Sequence, residues 1–157
     1  MLRVRRVRSG DADRLGCRLR AADLREIAAA SGDDPLIVLQ QCVVWSDPCY
    51  AIVDECVDDI PLALFGASPD PVKAGMGRVW LLGSDDLAHY SATFLRHSRE
   101  WVEKLHEPYP VLWNYIDARN ELHLRWLNWC GFRIIRRIEC YGPEKRPFYE
   151  FEKVREG

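Results

Sequence analysis

Arginine alternates with valine near the start of the chain, from Leu2 to Val7, which is the pattern of a half-buried edge strand. Helical patterning then covers residues 11–31 and weakens at Gly16. We therefore expect two short helices in that stretch, the second ending at Gly32. A third helix should begin at Pro35, because an aspartate precedes this proline and proline is favoured in the first helical turn.

Two pairs of strand-like runs predict antiparallel hairpins. The first pair lies in residues 49–68 around the turn-prone Asp58-Asp59, and its second strand is expected to start at Pro61. The second pair lies in residues 133–154 around the sequence Gly142-Pro143-Glu144-Lys145. Both hairpins favour a sheet that is mostly antiparallel.

Between the two hairpins, two strands flank the longest predicted helix. The apolar run "RVWLLG" at residues 78–83 predicts a buried central strand, and "VLWNYID" at residues 111–117 predicts a second one. The helix covers residues 84–107, so the chain crosses over from one strand to its neighbour, which makes this pair parallel. The whole order predicts an α/β (α+β) single domain over residues 1–157, with a mixed, twisted sheet of about seven strands and helices on both faces.

The stretch "DARNELHLRWLNWCGF" predicts one more helix, from Glu121 to Cys130. Asn120 is a suitable N-cap, and Gly131 is suited to the left-handed conformation that ends a helix. His123 falls on the apolar arc, so its imidazole should face inward. Two roles fit this ring: a buried histidine satisfied by a hydrogen bond, or a general base or acid.

Composition excludes several classes of protein. The formal net charge is −2, which gives no argument for nucleic acid or for an anionic membrane. No run approaches the roughly 20 apolar residues of a membrane helix, and no signal peptide pattern is present, so we expect the cytoplasm of the host cell. The six cysteines form no C-x-x-C pair, which favours reduced core thiols over disulfides or a metal site, and we expect no metal.

Asn120, Gly131 and Phe132 match the N-x-x-A-x-x-L-Y-x-x-x-G-F signature, so the chain resembles the GCN5-related N-acetyltransferase (GNAT) superfamily. Residues 112–132 also resemble the internal virion protein A type family of T7-like podoviruses. The first resemblance implies a centrally splayed sheet that binds acetyl-CoA or another acyl-CoA. The second implies a phage or prophage origin, a role in the virion or its assembly, and phage virion proteins as partners.

The GNAT resemblance also implies where the cofactor lies. Pantetheine is expected between the strands at residues 78–83 and 111–117, and the pyrophosphate at backbone N–H groups of residues 83–86. The cofactor contacts implied in this way are Leu81, Leu82, Gly83, Ser84, Asn114 and Asn120. The usual Q/R-x-x-G-x-G/A loop is replaced by "GSDDLAH", in which Asp85 and Asp86 place negative charge beside a phosphate. The same two carboxylates stabilise a helix N-terminus without any ligand.

The catalytic residues implied by the resemblance are also altered. The tyrosine that often serves as general acid corresponds to Leu127, which has no proton to donate. The remaining candidates for proton transfer are His123 and Asp117, the latter at the end of a strand that should border the cleft. Asn114 and Asp117 lie on opposite faces of that strand, so at most one of them joins a given site.

Two functions follow from these observations. The first is an acyl-CoA-dependent N-acyltransferase with an amine substrate. The second is a non-catalytic, degenerate acetyltransferase fold that serves as an internal virion or assembly protein. The acidic loop and the missing tyrosine favour the second, and the sequence indicates neither the acceptor nor the oligomeric state.

Overall fold

The structure, a computed structural model, describes residues 1–156, and strands and helices follow one another in the predicted order. The elements in chain order are β1 (Leu2–Arg6), α1 (Asp11–Gly16), α2 (Ala21–Ala30), α3 (Pro35–Trp45), β2 (Cys49–Asp54), β3 (Ala63–Pro69), β4 (Met76–Gly83), a 3-10 segment (Asp85–Tyr90), α4 (Ser91–His106), β5 (Val111–Asp117), α5 (Glu121–Trp129), β6 (Arg133–Tyr141) and β7 (Arg146–Val154).

The seven strands form one sheet in the order β1-β2-β3-β4-β5-β7-β6. Strand β1 pairs only with β2, so the prediction of an edge strand is confirmed. All neighbours are antiparallel except β4 and β5, which are joined by the crossover through α4. The predicted parallel pair and the two hairpins are therefore confirmed.

Strands β4 and β5 separate along their length. Their pairing covers only Met76–Arg78 opposite Val111–Trp113, although β4 continues to Gly83 and β5 to Asp117. The two strands thus leave a wedge between their C-terminal ends, as predicted.

Helices α1, α2 and α3 cover one face of the sheet, and α4 and α5 cover the other. The first face buries a small cluster, and the second a larger one with several aromatic rings. Members of the first include Leu15, Ile27, Leu39, Leu64 and Leu82, and members of the second include Phe65, Phe94, Trp101, Leu112, Leu127 and Phe151. Among residues 1–156, no helix is both long enough and apolar enough to span a membrane.

Three sequence predictions are corrected by the structure. The long helix begins only at Ser91, because Asp85–Tyr90 form a tighter 3-10 segment that is tied down by a Tyr90 hydrogen bond to Asp54. Strand β3 begins at Ala63 rather than Pro61, since proline has no N–H to donate to a sheet. All six cysteines are free, but three of them are exposed rather than in the core, namely Cys17, Cys56 and Cys140.

Candidate functional site

The wedge opens directly after the last β4–β5 pair, and one side chain bridges it there. Asn114 Nδ2 donates to the Val79 carbonyl at 2.8 Å, and Asn114 Oδ1 accepts the Tyr115 N–H at 2.8 Å. Because alternate peptide units of a strand point to the same side, the backbone N–H and C=O of Leu81 also face the wedge. No β5 residue pairs with this part of β4.

A cavity of about 370 Å³ passes through the wedge and reaches both faces of the sheet. Its walls come from α2 and α3 on one face and from α5 on the other, with the central strands between them. Most of the lining is apolar or aromatic. The polar side chains in the lining are those of Glu26, Ser31, Ser68, Arg78, Asn114, Tyr115, His123 and Tyr141.

Helix α2 is fixed to the C-terminal ends of both splayed strands. Asp23 Oδ2 accepts the N–H of Gly83 at the end of β4, at 3.0 Å, and Glu26 Oε1 accepts the N–H of Asp117 at the end of β5, also at 3.0 Å. Carboxylates three residues apart share one helix face, so a single helix reaches both strands. Asp23 is fully buried and paired with Arg20 at 2.9 Å. Glu26 is half-buried and lines the cavity.

The surroundings of Glu26 favour its protonated form. Burial raises the pKa of Glu26 to about 7, and the carboxylates of Asp23 and Asp117 add to the rise. The N–H of Asp117 and the amide of Asn120, 3.4 Å away, lower this pKa because they donate to the carboxylate. Glu26 Oε2 accepts no hydrogen bond from residues 1–156. A carboxylate with a pKa near 7 and one free oxygen is suited to accept a proton at neutral pH.

His123 lies in the opposite wall of the cavity, on α5. Its ring is half-buried, and its centroid is 6.1 Å from that of Trp126. Within the described part of the chain, this imidazole makes no hydrogen bond. Burial lowers the pKa of His123, Arg20 lowers it further, and Asp23 opposes the change. The ring is therefore neutral at neutral pH.

The other predicted site residues fall into two groups. Leu81, Leu82 and Asn114 line the cavity with His123. Gly83 and Ser84 do not line the cavity. The Gly83 N–H donates to Asp23, and the Ser84 N–H and hydroxyl both donate to the Leu62 carbonyl. Two of the four N–H groups expected to meet a pyrophosphate are thus already bonded within the protein.

Asp117 and Asn120 border the site without lining the cavity. The Asp117 carboxylate is almost fully buried and makes a bidentate ion pair with Arg119, with a shortest distance of 2.7 Å. This pairing lowers the pKa of Asp117 against the effect of its burial. The expectation that Asn120 caps α5 with its side chain is wrong, since no such bond forms. Its amide is turned instead towards Glu26, where it helps to orient that carboxylate.

Glu26 and Arg78 are the two charged lining residues that the sequence analysis did not single out. For Glu26 a signal was present: "DLRE" places two carboxylates and Ile27 on one face of a helix that must pack on the sheet. For Arg78 the alternation of β4 indicated only which face of the sheet it occupies. Among residues 1–156, histidine, cysteine, aspartate and glutamate side chains form no group of three or more that could hold a metal ion.

Comparison with solved structures agrees with this geometry. The NatC complex bound to Gag peptide and CoA superimposes with a TM-score of 0.70 at 12% identity, over 99% of both chains. An acetyltransferase from Bacillus subtilis in complex with CoA gives 0.69 at 10% identity, over 99% of this chain and 100% of that one. The ribosomal-protein-S5-alanine acetyltransferase from Vibrio fischeri gives 0.69 at 14%, over 98% and 92%. The chain therefore has the fold of the GNAT acetyltransferases.

Sequence comparison gives a different kind of relative. The chain is 28% identical over 102 residues to a probable scaffold protein, gp13, of Escherichia phage T7; the match covers 60% of this chain and 69% of that protein. No family model matches the chain.

Proposed function

We propose that this protein is an N-acyltransferase, which moves an acyl group from an acyl-CoA thioester to a primary amine with Glu26 as proton acceptor. The observation that carries the proposal is the cavity through the β4–β5 wedge. It joins an unpaired stretch of strand edge at Leu81 to the Glu26 carboxylate. A largely apolar cavity that brings an unpaired strand edge and a titratable carboxylate together suits a thioester and an amine that must react with each other.

The wedge suits the pantetheine arm of the donor. The backbone N–H and C=O of Leu81 are available to an amide-containing chain that lies along the strand edge. The apolar side chains of Leu81 and Leu127 form part of the wall beside it. The NatC complex and the Bacillus subtilis acetyltransferase, which share the fold, both bind CoA. When bound, the donor supplies an activated carbonyl carbon with a thiolate leaving group.

The part of the donor site that would hold the pyrophosphate is less suited to its ligand than the wedge is to pantetheine. Asp86 is neutralised by an ion pair with Arg18, whereas Asp85 is exposed and forms no ion pair with any residue from 1 to 156. One carboxylate without a counter-charge repels a pyrophosphate but does not close the wedge. We infer that this end weakens donor binding rather than preventing it.

Glu26 acts on the acceptor. Its carboxylate takes one proton from the ammonium form of the amine, and the freed lone pair forms the new nitrogen–carbon bond. The carbon–sulfur bond then breaks, and the departing thiolate takes up the second proton that the nitrogen loses, so the products are an amide and a free thiol. Asn120 and the Asp117 N–H hold Oε1, which leaves Oε2 for the acceptor. His123 lies on the other wall as a neutral ring and contributes less, because it lacks a partner that would orient it.

Acyl transfer from acetyl-CoA to a panel of primary amines tests the proposal, with release of the thiol as the signal. Replacing Glu26 by Gln keeps the shape of the side chain and removes the base, so kcat/KM should fall roughly 10² to 10⁴-fold. Glu121→Gln is the matched control, since Glu121 is exposed at the start of α5. Equal rates in wild type and Glu26→Gln would contradict the assignment of the base.

A second candidate function rests on the similarity to the phage scaffold protein. In this alternative the chain is a virion or assembly protein of the internal virion protein A type, with other virion proteins as partners. Apolar side chains are exposed on α3 at Val44 and Trp45 and on the edge strand β6 at Ile134 and Ile135. Mass spectrometry of purified phage particles from a strain that carries the gene tests this role. Presence of the chain in the particles supports it, and absence despite expression contradicts it.

A further inference from the structure

Arg78 lies on the same face of the sheet as Glu26. Side chains alternate along β4, and Leu82, four residues further on, packs in the cluster beneath α1, α2 and α3. Arg78 lines the cavity together with Tyr115 and Tyr141. The guanidinium carbon is 5.0 Å from the ring centroid of Trp113 and 5.8 Å from that of Tyr115, so aromatic rings hold the side chain in place.

The guanidinium of Arg78 has no carboxylate partner among residues 1–156. Its Nε is buried and makes no hydrogen bond within the same residues. Other arginines that are drawn out of water are paired: Arg5 with Asp11 at 2.8 Å, and Arg20 with Asp23 at 2.9 Å. A half-buried guanidinium without a carboxylate partner is costly, because it loses hydration and gains no ion pair. Such a group is suited to an anionic ligand.

Tyr141 is influenced by both Arg78 and Glu26, and it lines the cavity with them. Burial raises the pKa of the Tyr141 hydroxyl, the nearby Arg78 lowers it, and Glu26 raises it. All three residues line the same cavity, on the side of the wedge away from α5. The cavity thus presents a positive group and a proton acceptor to one small molecule.

We propose that the acceptor is a small amino carboxylate, whose amine meets Glu26 and whose carboxylate pairs with Arg78. This inference rests on the proposed acyl transfer and specifies its substrate class. It predicts that amines without a neighbouring carboxylate are poor acceptors. Lysine side chains and N-termini of proteins belong to that group, because their own carboxylates are tied up in peptide bonds.

The test compares matched acceptors and matched variants. The common L-amino acids and β-alanine are each assayed beside their carboxamides, in acetyl transfer and in calorimetric binding without the donor. At least one acid should be preferred over its amide by about 100-fold in kcat/KM, since the amide leaves the half-buried guanidinium unpaired. Arg78→Met should abolish that preference and the calorimetric binding of the acid, while Arg78→Lys, which keeps the charge without the planar fork, should retain part of both.

Arg96→Met is the control, because Arg96 is exposed on α4, on the other face of the sheet. A protein that acylates acids and amides equally would overturn the inference and leave the proposed function standing. Binding of an amino acid that depends on Arg78, without any acyl transfer, would support the carboxylate site and refute the transferase. If no acid binds and none is preferred, the inference is wrong. Circular dichroism of each variant shows whether a loss reflects unfolding.

Discussion

Two regions that border the wedge treat charge in opposite ways: one around Glu26 and Arg78, called here the acceptor end, and one around Asp85 and Asp86, called the donor end. At the acceptor end, Glu26 and Arg78 are drawn out of water, and no opposite charge within residues 1–156 is paired with either. At the donor end, Asp85 and Asp86 lie at the start of a 3-10 segment near the surface, and Asp86 is paired with Arg18. Both regions border the same two strands, β4 and β5.

This difference indicates where the structure is adapted to a ligand. Half-buried charges without partners destabilise a protein. They are therefore found mainly at functional sites, where they interact with a ligand or substrate. Exposed carboxylates at the start of a helical segment stabilise that segment and need no ligand. The acceptor end therefore carries the stronger functional signal, although the family resemblance draws attention first to the donor end.

The largest effect is expected where helix α2 meets the β6–β7 turn, next to the cavity-lining Tyr141. Gly142 has φ +71°, and a Cβ added there would lie 2.0 Å from the Ala29 carbonyl oxygen. Gly142→Ala should therefore cost about 3 kcal/mol of unfolding free energy and disturb the wall that carries Glu26.

Gly32→Ala is the matched control, since Gly32 has a similar φ of +73° with its nearest atom at 3.8 Å. It should cost only about 1 kcal/mol. Equal losses in urea denaturation would contradict the close contact.

The next prediction concerns the loss of folding stability caused by the partly buried Glu26 carboxylate at the acceptor end. Its pKa rises from 4.5 to about 7 on folding, so the folded state holds this proton more tightly than the unfolded chain. The contribution of Glu26 to wild-type stability should therefore fall as the pH rises from about 4.5 to about 7. Glu26→Gln has no charge to bury and should be more stable than wild type by about 2 kcal/mol at pH 8, with little difference at pH 4.5. Urea titrations at both pH values measure this. If the difference in unfolding free energy between the two proteins does not change with pH, the pKa of Glu26 is not raised by folding.

These predictions depend on contacts that the sequence pattern could not reveal. Periodicity and turn residues predicted the strands, the parallel β4–β5 pair and the Gly131 helix end, because these are local features. The direction of the Asn120 side chain was mispredicted, since a local cap competes with Glu26, 94 residues away. His123 and Asn114 were singled out because they lie on elements that border the wedge, and both line the cavity. Arg78 was not, because its lack of a partner is visible only once the whole fold is assembled.

A smaller effect is expected at the donor end. Asp85→Asn should tighten the binding of acetyl-CoA by about 1 kcal/mol at low salt, because it removes a negative charge near the pyrophosphate. Asp86→Asn should tighten binding by a similar amount, since it leaves the positive charge of Arg18 unpaired near the phosphates. Calorimetric titration at two salt concentrations separates the charge effect from other changes. Unchanged affinity in both variants would mean that the phosphates bind elsewhere.

The smallest effect is expected at His123, which faces the wedge without a hydrogen-bond partner among residues 1–156. His123→Leu should change the unfolding free energy by less than about 1 kcal/mol, because the ring is already neutral and meets apolar neighbours. Acyl transfer should fall by about tenfold or less, far below the loss in Glu26→Gln. Thermal melts and the transfer assay on this variant check both statements. A loss as large as that of Glu26→Gln would make His123 the principal base.

The pH dependence of acyl transfer tests the assignment of Glu26 most directly. With an acceptor amine whose pKa is well above 9, wild-type kcat/KM should rise with pH and level off above about 7, where Glu26 is ionised and can take the proton of the ammonium form. Glu26→Gln has no carboxylate to accept that proton, so it can react only with the small fraction of amine that is already neutral in solution. Its lower rate should keep rising by about tenfold per pH unit from pH 6 to 9. Two profiles of the same shape would contradict the account.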